Sequence, residues 1–326
     1  MASAVRRVHV FYHYPCPDGV FAALAAHCFY SRPGATAEIF CEPDTPPEHD
    51  GEGFGKDDAA VFVDYTANEA FLGKMAETVG EVLIMDHHKS AAEWLAKAAL
   101  PDNVEVVMDM ERSAATIARD VYAGKAGSRE ALFGHALPAG ASLASLDLMF
   151  QFVEDGDLWR WALDGSRRFS AGFHDLELEL SGAANPGVFD TLLGLDVAAV
   201  MARGDEAEAR KAAEVARAVS EDAFVLCMPK APWADGVLAV VTATPGYRSD
   251  LGNALSTAGA AAGRPAVGVV AYHEDLLGAD KIKVSLRSQG EYTIDALASA
   301  YGGGGHAHAG SFVIDLAEFE SWREES

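Results

Sequence analysis

The sequence is poor in basic residues. Its 326 residues include 25 lysines and arginines against 49 aspartates and glutamates, which gives a formal net charge of −24. A surface with this charge repels a long DNA or RNA strand unless one local groove is strongly basic. No run of lysine and arginine along the sequence indicates such a groove. We therefore expect any anionic ligand to be short.

Cysteines and long apolar runs are also scarce. The four cysteines lie far apart without a C-x-x-C pair, which argues against a disulfide framework and against a zinc finger or ribbon. No apolar run reaches the ~18 to 20 residues that a membrane-spanning helix requires. The first residues lead directly into a strand pattern rather than a signal peptide. We expect a cytoplasmic protein without a membrane partner.

The apolar residues that are present indicate an α/β fold. Half of all residues are hydrophobic, and 326 residues are many for one domain. Short β-rich runs alternate with helical patterns up to Asp109, which is typical of βαβ units and a parallel sheet covered on both faces. After Pro229 the pattern becomes strand-rich again. The predicted strands are 8–14, 37–42, 60–65, 81–86 and 103–109, then 236–243, 266–273, 281–288 and 312–316.

Helical patterns complete the predicted architecture. An alanine-rich segment at 196–223 with charged residues at i,i+4 spacing predicts a long amphipathic helix that connects two lobes. The other helices are predicted from Asp18, from Asn68, at 91–98, from Ser113, and at 142–161, 249–262 and 293–301. A loop rich in proline, glycine and acids is predicted from 43 to 56. The expected domains are an N-terminal parallel-sheet domain at 1–190, a helical linker at 191–230 and a smaller α/β domain at 231–326.

Acids and histidines follow three of the predicted N-terminal strands, most visibly in "VLIMDHHKS". One strand-ending aspartate is commonly a helix N-cap, but three such ends together are less readily a coincidence. In an open α/β sheet, side chains beyond the carboxyl ends of parallel strands converge on one crevice. The residues are His13, Cys16 and Asp18 in the first segment, Asp64 in the second, and Asp86, His87 and His88 in the third. "VEDGDLW" adds Asp155 and Asp157.

This combination of side chains predicts a metal site. Carboxylate and imidazole ligands together suit Mn²⁺, Mg²⁺, Fe²⁺ or Zn²⁺ better than Ca²⁺ or copper. A carboxylate shared by two ions about 3.5 to 4 Å apart is how two-metal hydrolases work at phosphorus. The pattern therefore points to hydrolysis of a phosphate ester or anhydride.

The C-terminal part contains a second polar motif. Four glycines, Gly302 to Gly305, precede His306, and a glycine-rich backbone can turn its N–H groups towards an anion. Arg287 lies on the predicted strand "VSLRS" and offers two parallel hydrogen bonds to a phosphate. The alternative, a flexible glycine linker, fits poorly between an apolar helix and an apolar strand.

Taken together, five motifs resemble the Asp-His-His (DHH) phosphoesterase family with its associated C-terminal substrate domain, in its nano-RNase or oligoribonuclease-like branch. In chain order they are "PCPDGVFAALAA", "VFVDYT", "MDHHKS", "VEDGDLW" and "VSLRS" with "GGGGHAHAG". The resemblance covers nearly the whole chain. It implies two lobes with catalysis in the cleft between them, and a pair of Mn²⁺ ions in the N-terminal lobe.

The resemblance also implies roles for individual residues. Asp64 would bridge the two ions, Asp86 would bind an ion or support a residue that does, and His88 would contact the phosphate or assist proton transfer. The remaining ligands would be Asp18, His87 and Asp155. A terminal phosphate or nucleotide would be held by Arg287, Gly303, Gly304, Gly305 and His306, with Ser249 and Asn253 as further substrate contacts.

The first motif departs from the family pattern. The family usually has D-x-D there, whereas this chain has Cys16-Pro17-Asp18. Either His13 supplies an imidazole ligand in compensation, or Cys16 binds as a thiolate and favours Zn²⁺, or one metal position is weaker.

The sequence leaves three functions open. The first is a Mn²⁺-dependent phosphodiesterase or exonuclease that hydrolyses short oligonucleotides or linear dinucleotides to mononucleotides. The second is a pyrophosphatase or polyphosphatase of the same family, which normally needs more lysine and arginine around its cleft. The third is a nucleotide-binding module that has lost catalysis through the change at Cys16.

Overall fold

The computed structural model describes residues 6–35, 37–43, 54–243 and 247–324. Most of the loop predicted at 43–56 lies outside these residues. The chain divides into two compact units, Met1–Ala207 and Glu208–Ser326, and the predicted linker lies across this division. Within the described residues, no helix combines the length and the apolar character needed to cross a membrane.

Unit 1 contains a five-stranded sheet in which every neighbouring pair of strands is parallel, in the order β2-β1-β3-β4-β5. This confirms the predicted parallel sheet. The strands are β1 (Arg6–Tyr12), β2 (Ala37–Pro43), β3 (Ala59–Val63), β4 (Glu81–Asp86) and β5 (Val104–Met108).

The central strands of unit 1 are apolar without a break because both of their faces are buried. Val61 and Leu83 belong to one hydrophobic cluster, whereas their neighbours Phe62 and Ile84 belong to another. Side chains alternate between the two faces of a strand, so an uninterrupted apolar run supplies both clusters. The second cluster receives side chains from α2 (Glu69–Thr78) and α3 (Lys89–Leu95). The first receives them from the other helices: α1 (Pro17–Ser31), α4 (Ala114–Ala126), α5 (Arg129–Phe133), α6 (Leu143–Asp157), α7 (Ser166–Asp175) and α8 (Val188–Leu193).

Several helices begin where a polar side chain caps them. The side chains of Asn68, Ser113, Ser128 and Ser142 each accept a hydrogen bond from a backbone N–H of the first turn. The sequence predicts the starts at Asn68 and Ser113, but not α5, α7 or α8. The long helix predicted at 196–223 is α9 (Val197–Arg217), followed by one π-helical turn at Ala218–Asp222.

Unit 2 contains a six-stranded mixed sheet in the order β10-β11-β9-β8-β7-β6, in which β7 and β8 are parallel and the other pairs antiparallel. The short β6, β10 and α12 escape the sequence analysis. The elements are β6 (Phe224–Leu226), β7 (Val237–Val241), α10 (Arg248–Ala261), β8 (Val267–Tyr272), β9 (Lys281–Ser288), α11 (Asp295–Ala300), β10 (Gly304–His306), β11 (Ala309–Asp315) and α12 (Leu316–Glu320).

Candidate metal centre

The sheet order of unit 1 explains why distant segments meet. β3 lies between β1 and β4, so the residues that follow these three strands occupy adjacent places at one edge of the sheet. His13 and Cys16 follow β1, Asp64 follows β3, and His87 follows β4. The structure therefore brings together residues from three of the predicted motifs.

Asp64 occupies the middle of this arrangement. Its backbone has φ = 54°, a left-handed conformation that aspartate adopts more readily than most residues. Its Oδ1 lies 3.2 Å from Nε2 of His87, and its Oδ2 lies 3.4 Å from Nδ1 of His13. Burial acts to raise the pKa of Asp64, but the contacts with both histidines outweigh it and lower the pKa to about 2. One carboxylate thus points its two oxygens at two different imidazoles.

The first group of potential ligands consists of His13, Cys16 and Asp64. One donor atom from each lies within 4.8 Å of the others. Cys16 is half-buried immediately before α1. Burial, and then the charge of Asp64, raises the pKa of the Cys16 thiol. The sulfur therefore stays protonated unless a cation binds nearby.

The second group consists of Asp18, His87 and Asp157. Nε2 of His87 lies 3.7 Å from Oδ2 of Asp18 and 3.5 Å from Oδ2 of Asp157. Burial, and then the charges of Asp64 and Asp157, raises the pKa of Asp18 well above its usual value. Burial likewise raises the pKa of Asp157. For His87, burial acts to lower the pKa, but the hydrogen bond to Asp64 and the nearby acids raise it to about 9.

Asp18 is held in place by helix α4. Its oxygens accept hydrogen bonds from the backbone N–H groups of Ala114 at 2.8 Å and Ala115 at 2.9 Å. The start of a helix favours a negative charge, because its first N–H groups have no partner within the helix. The segment "ERSAAT" therefore supports the site through its backbone.

Asp86 holds His88 rather than joining a ligand group of the described residues. It accepts hydrogen bonds from the backbone N–H groups of His87 and His88, from the hydroxyl of Thr66 at 2.7 Å, and from Nδ1 of His88 at 2.8 Å. The bond to Asp86 is the main cause that raises the pKa of His88. Since Nδ1 of His88 is engaged, Nε2 is the nitrogen left for a ligand. His88 also forms a third potential ligand group with Asp64 and His87.

The structure places Asp155 outside all three groups and puts Asp157 beside His87 instead. The oxygens of Asp155 accept hydrogen bonds from the backbone N–H groups of Ala162 and Leu163 and from the hydroxyl of Ser166. The two aspartates are two residues apart in helix α6, and a helix turns by about 100° per residue, so they lie on opposite faces. The sequence predicts Asp155 rather than Asp157 as the ligand, because a linear motif does not show which face of α6 each aspartate occupies.

The donor set fits divalent cations. Among the described residues, the ion pairs of Asp18, Asp64 and Asp157 all involve histidines. Oδ2 of Asp64 is buried and makes no well-formed hydrogen bond with any described residue. Burial is the main cause of the raised pKa of Asp18, and repulsion by Asp64 and Asp157 raises it further. The first and second groups, which the third group links through Asp64 and His87, offer carboxylate and imidazole donors that suit Mn²⁺, Mg²⁺, Fe²⁺ or Zn²⁺. A thiolate at Cys16 would favour Zn²⁺ in the first group.

Neither the protein-family models nor the curated protein sequences contain a match. Among solved structures, the chain is similar to an exopolyphosphatase-related protein from Bacteroides fragilis, with 12% identity and a TM-score of 0.44 over 97% of this chain and 90% of that one.

Two other solved structures show a similar degree of likeness. The pGpG-specific phosphodiesterase PggH from Vibrio cholerae has 14% identity and a TM-score of 0.42 over 97% of this chain and 95% of that one. The exonuclease RecJ bound to manganese has 16% identity and a TM-score of 0.47 over 98% of this chain and 88% of that one. With TM-scores below 0.5, these likenesses carry no argument about function. Membership of the DHH family stays a prediction from the motifs.

A cavity of about 490 Å³ borders the centre in unit 1. Its lining includes His13, Asp64, His88, Asn68 and Trp94. Pockets for small ligands typically have volumes of about 300 to 1,000 Å³. The cavity therefore has room for a small ligand next to the first and third ligand groups.

The polar motif of unit 2 is partly assembled around Arg287. Its Nη2 donates a hydrogen bond to Oγ of Ser249 at 2.8 Å. Gly252 permits this approach, because a β-carbon there would lie 2.8 Å from Cγ of Arg287. Ala309 pairs with both Arg287 and His306 across neighbouring antiparallel strands, so Arg287 and His306 share one face of the sheet.

The glycine run of unit 2 leads into the sheet, and its second half belongs to a strand. Gly304, Gly305 and His306 form β10, and a β-carbon on Gly303 would lie 2.0 Å from the carbonyl oxygen of Ser311. Close packing of the backbone thus requires glycine at Gly303 before any ligand is considered. Asn253 is exposed on α10, and its carbonyl oxygen accepts a hydrogen bond from the side chain of Thr257.

Proposed function

We propose that the protein is a metal-dependent phosphodiesterase that hydrolyses short oligonucleotides or linear dinucleotides to mononucleotides. One observation carries the proposal: the two oxygens of Asp64 point at the two ligand groups that contain His13 and His87. A carboxylate placed in this way is suited to bridge two cations, and paired cations are typical of enzymes that cleave phosphate esters.

The proposed cofactor is a pair of Mn²⁺ ions. His13, Cys16 and Asp64 would hold one ion, and Asp18, Asp64, His87 and Asp157 would hold the other. Divalent cations held in this way activate water and offset the negative charge that develops at phosphorus. Because the pKa of His87 is raised to about 9, His87 must give up a proton from its ring when a cation binds, and binding should release protons into solution.

His88 and Asp86 would manage the proton of the reaction. Asp86 fixes the orientation of the His88 ring through Nδ1 and stabilises its protonated form. Nε2 of a protonated His88 would then donate a hydrogen bond to a phosphate oxygen, or pass its proton to the leaving oxygen. This assigns Asp86 a positioning role and His88 a catalytic role.

The charge of the chain supports a short substrate. A net charge of −24 disfavours a long nucleic acid. In unit 2, Arg287 with Ser249 would bind a terminal phosphate, and His306 with Gly303, Gly304 and Gly305 would extend that binding surface. Asn253 is a further proposed substrate contact, because its side chain lies on the exposed face of α10.

One panel of substrates tests the proposal. The purified protein with Mn²⁺ is offered a 5′-phosphorylated dinucleotide, a longer RNA, a cyclic dinucleotide and pyrophosphate. We expect mononucleotide to be released from the dinucleotide and the activity to be lost in Asp64→Asn. Asp164→Asn is the matched control, because Asp164 is an exposed acid outside the centre.

Two other outcomes would replace the proposal. Turnover of pyrophosphate alone would identify a pyrophosphatase. Tight binding of nucleotide without turnover of any substrate would identify a binding module, and would point to the thiol of Cys16 as the reason for the missing activity.

A further inference from the structure

A second cavity in unit 1 adjoins the centre and differs from the first in chemistry. It measures about 170 Å³, and we call it the aromatic pocket. Phe152 and Phe169 line it together with Trp159 and Trp161, and the ligand candidates Asp18 and Asp157 form part of its wall. None of the roles proposed above uses this pocket.

The loop that carries the two tryptophans holds them in an uncommon backbone conformation. Trp159 has φ = 55° and Trp161 has φ = 51°, values that bulky residues rarely adopt. Backbone N–H groups of Arg160 and Trp161 donate to the carbonyl oxygen of Asp155, which pins the loop to the end of α6. Strained residues of this kind persist where the surrounding structure holds them, and they cluster at ligand sites.

The result of this conformation is an exposed aromatic face. Trp159 is 77% exposed, and its ring contacts that of Trp161 at a centroid distance of 5.2 Å and an angle of 73°. Trp161 is in turn packed by the guanidinium of Arg167, which lies 4.8 Å from its ring centroid. Trp161 thus supports Trp159 from within, and Trp159 presents a large apolar surface to solvent.

The side chains that line the aromatic pocket indicate which kind of ligand it would bind. Its aromatic walls favour a flat, uncharged ring, because such rings stack on tryptophan. The acids on its wall disfavour a bare phosphate inside it. They are also members of the second ligand group, where a phosphate would lie once cations are bound. In a nucleotide, one sugar joins a flat base to a phosphate. The base can therefore lie in the aromatic pocket while the phosphate lies at the adjacent second ligand group.

We propose that the aromatic pocket binds the nucleobase of the nucleotide whose phosphate lies at Asp18 and Asp157, with Trp159 as the stacking surface. The inference rests on the proposed phosphodiesterase function and adds the site that recognises the base. Stacking tolerates all four bases, since each has an aromatic face. The pocket would therefore make the enzyme require a base without selecting one.

Binding of AMP and of ribose 5-phosphate tests the proposal directly. Both are titrated calorimetrically into the protein with Mn²⁺ present, and the ratio of their dissociation constants measures the contribution of the base. We expect Trp159→Leu to lower the preference for AMP by about 5- to 140-fold. Trp159→Phe should retain most of the preference, because phenylalanine keeps a flat ring on the same backbone.

Controls separate a direct contact from a general disturbance. Trp233 packs against Tyr292 in unit 2, so Trp233→Leu removes a tryptophan elsewhere and should leave the ratio unchanged. An unchanged ratio in Trp159→Leu would overturn the proposal. So would an equal loss of affinity for both ligands, since that would mean that Trp159 only maintains the structure.

The two proposals can fail independently. If the dinucleotide is hydrolysed but the AMP preference does not depend on Trp159, the phosphodiesterase stands and the base pocket falls. If no phosphodiester is hydrolysed but the preference depends on Trp159, the pocket stands and the proposed function falls.

Discussion

At the scale of single residues, the centre is a set of acids that lack a cationic partner other than histidine among the described residues. Asp18, Asp64 and Asp157 lie around one imidazole, and burial together with the repulsion between these acids raises the pKa of Asp18. A fold maintains such crowding at the expense of its own stability. The same crowding makes the site strongly attractive to a divalent ion.

Asp64→Asn tests whether the crowded acids bind a divalent ion, separately from their cost to stability. The substitution keeps the shape of the side chain, removes one negative charge and removes the proposed bridge. We expect Mn²⁺ to raise the melting temperature of the parent protein but not that of Asp64→Asn, because only binding to the folded state stabilises it. Activity should fall by more than about 100-fold, beyond the effect typical of residues that only support a metal ligand.

The same melting experiment includes a control variant. Asp164→Asn should respond to Mn²⁺ as the parent does. A shift of equal size in Asp64→Asn would show that Asp64 does not bind the ion.

The candidate metal ligands show which parts of the site can be predicted from the sequence and which cannot. The residues that follow the ends of β1, β3 and β4 are expected to meet, because these strands are parallel; they include His13, Asp18, Asp64 and His87. Asp157 could not be chosen over Asp155 in this way. The choice depends on which face of α6 each residue occupies and on contacts with the segment that leads into α7, whose first residue, Ser166, donates a hydrogen bond to Asp155.

At the scale of elements, Asp155 joins two helices. Its carboxylate is 4% exposed and accepts hydrogen bonds from two backbone N–H groups before α7 and from the hydroxyl of Ser166. We expect Asp155→Asn to lower the free energy of unfolding by about 1 to 3 kcal/mol, because an amide nitrogen cannot accept these hydrogen bonds. Urea unfolding measures this loss.

Asp157→Asn is the matched partner of that variant. The pKa of Asp157 is raised by burial, so its charged form costs stability, and its loss should leave the metal-free protein equally or more stable. Affinity for Mn²⁺ should fall in Asp157→Asn and persist in Asp155→Asn. The reverse pattern would return Asp155 to the ligand set.

A second junction between elements gives a pH dependence. Asp58 accepts hydrogen bonds from the backbone N–H of Arg7 at 2.9 Å and from the Arg7 guanidinium at 2.6 Å. Burial acts to raise the pKa of Asp58, but the contacts with Arg7 outweigh it and lower the pKa. The stabilisation is therefore fully present above the unfolded pKa of about 3.9 and is lost as the pH falls through the lower folded pKa.

Asp58→Asn should accordingly be less stable than the parent by about 1 to 2 kcal/mol at pH 5 to 7. The difference should shrink below about pH 4, where the parent also loses the charge. Urea unfolding at several pH values measures it, and Asp57→Asn, at an exposed neighbouring acid, is the control. A difference that stays constant down to pH 2 would contradict this account.

The prediction of elements succeeded where hydrophobic pattern alone decides the structure. β3 and β4 are buried on both faces, and their uninterrupted apolar runs follow directly from this burial. α5 and α8 are only five and six residues long, and such short helices leave little periodicity to detect. α7 starts after two tryptophans with positive φ, a conformation that tertiary contacts impose and that residue type does not suggest.

At the scale of the whole molecule, the net charge of −24 governs the encounter with polyanions. Between about 0.01 and 0.15 M salt, the screening distance falls from about 30 to 8 Å. We expect the KM for a 20-nucleotide RNA to fall over this range, while the KM for a dinucleotide changes less. Enzymes with a basic groove lose affinity for nucleic acid as salt increases. A rise in the KM of the longer RNA would reveal a basic surface that the sequence does not indicate.

Asp18 has a consequence for how this chain can vary. Its carboxylate meets the first amides of α4 and lies near His87 on the other side. Glutamate would carry the same charge one methylene too far for one of these contacts, and asparagine would turn an N–H₂ group towards an amide that needs an acceptor. Aspartate at position 18 therefore meets two unrelated demands. The contact that fixes the start of α4 and the proposed contact with a cation use the same carboxylate.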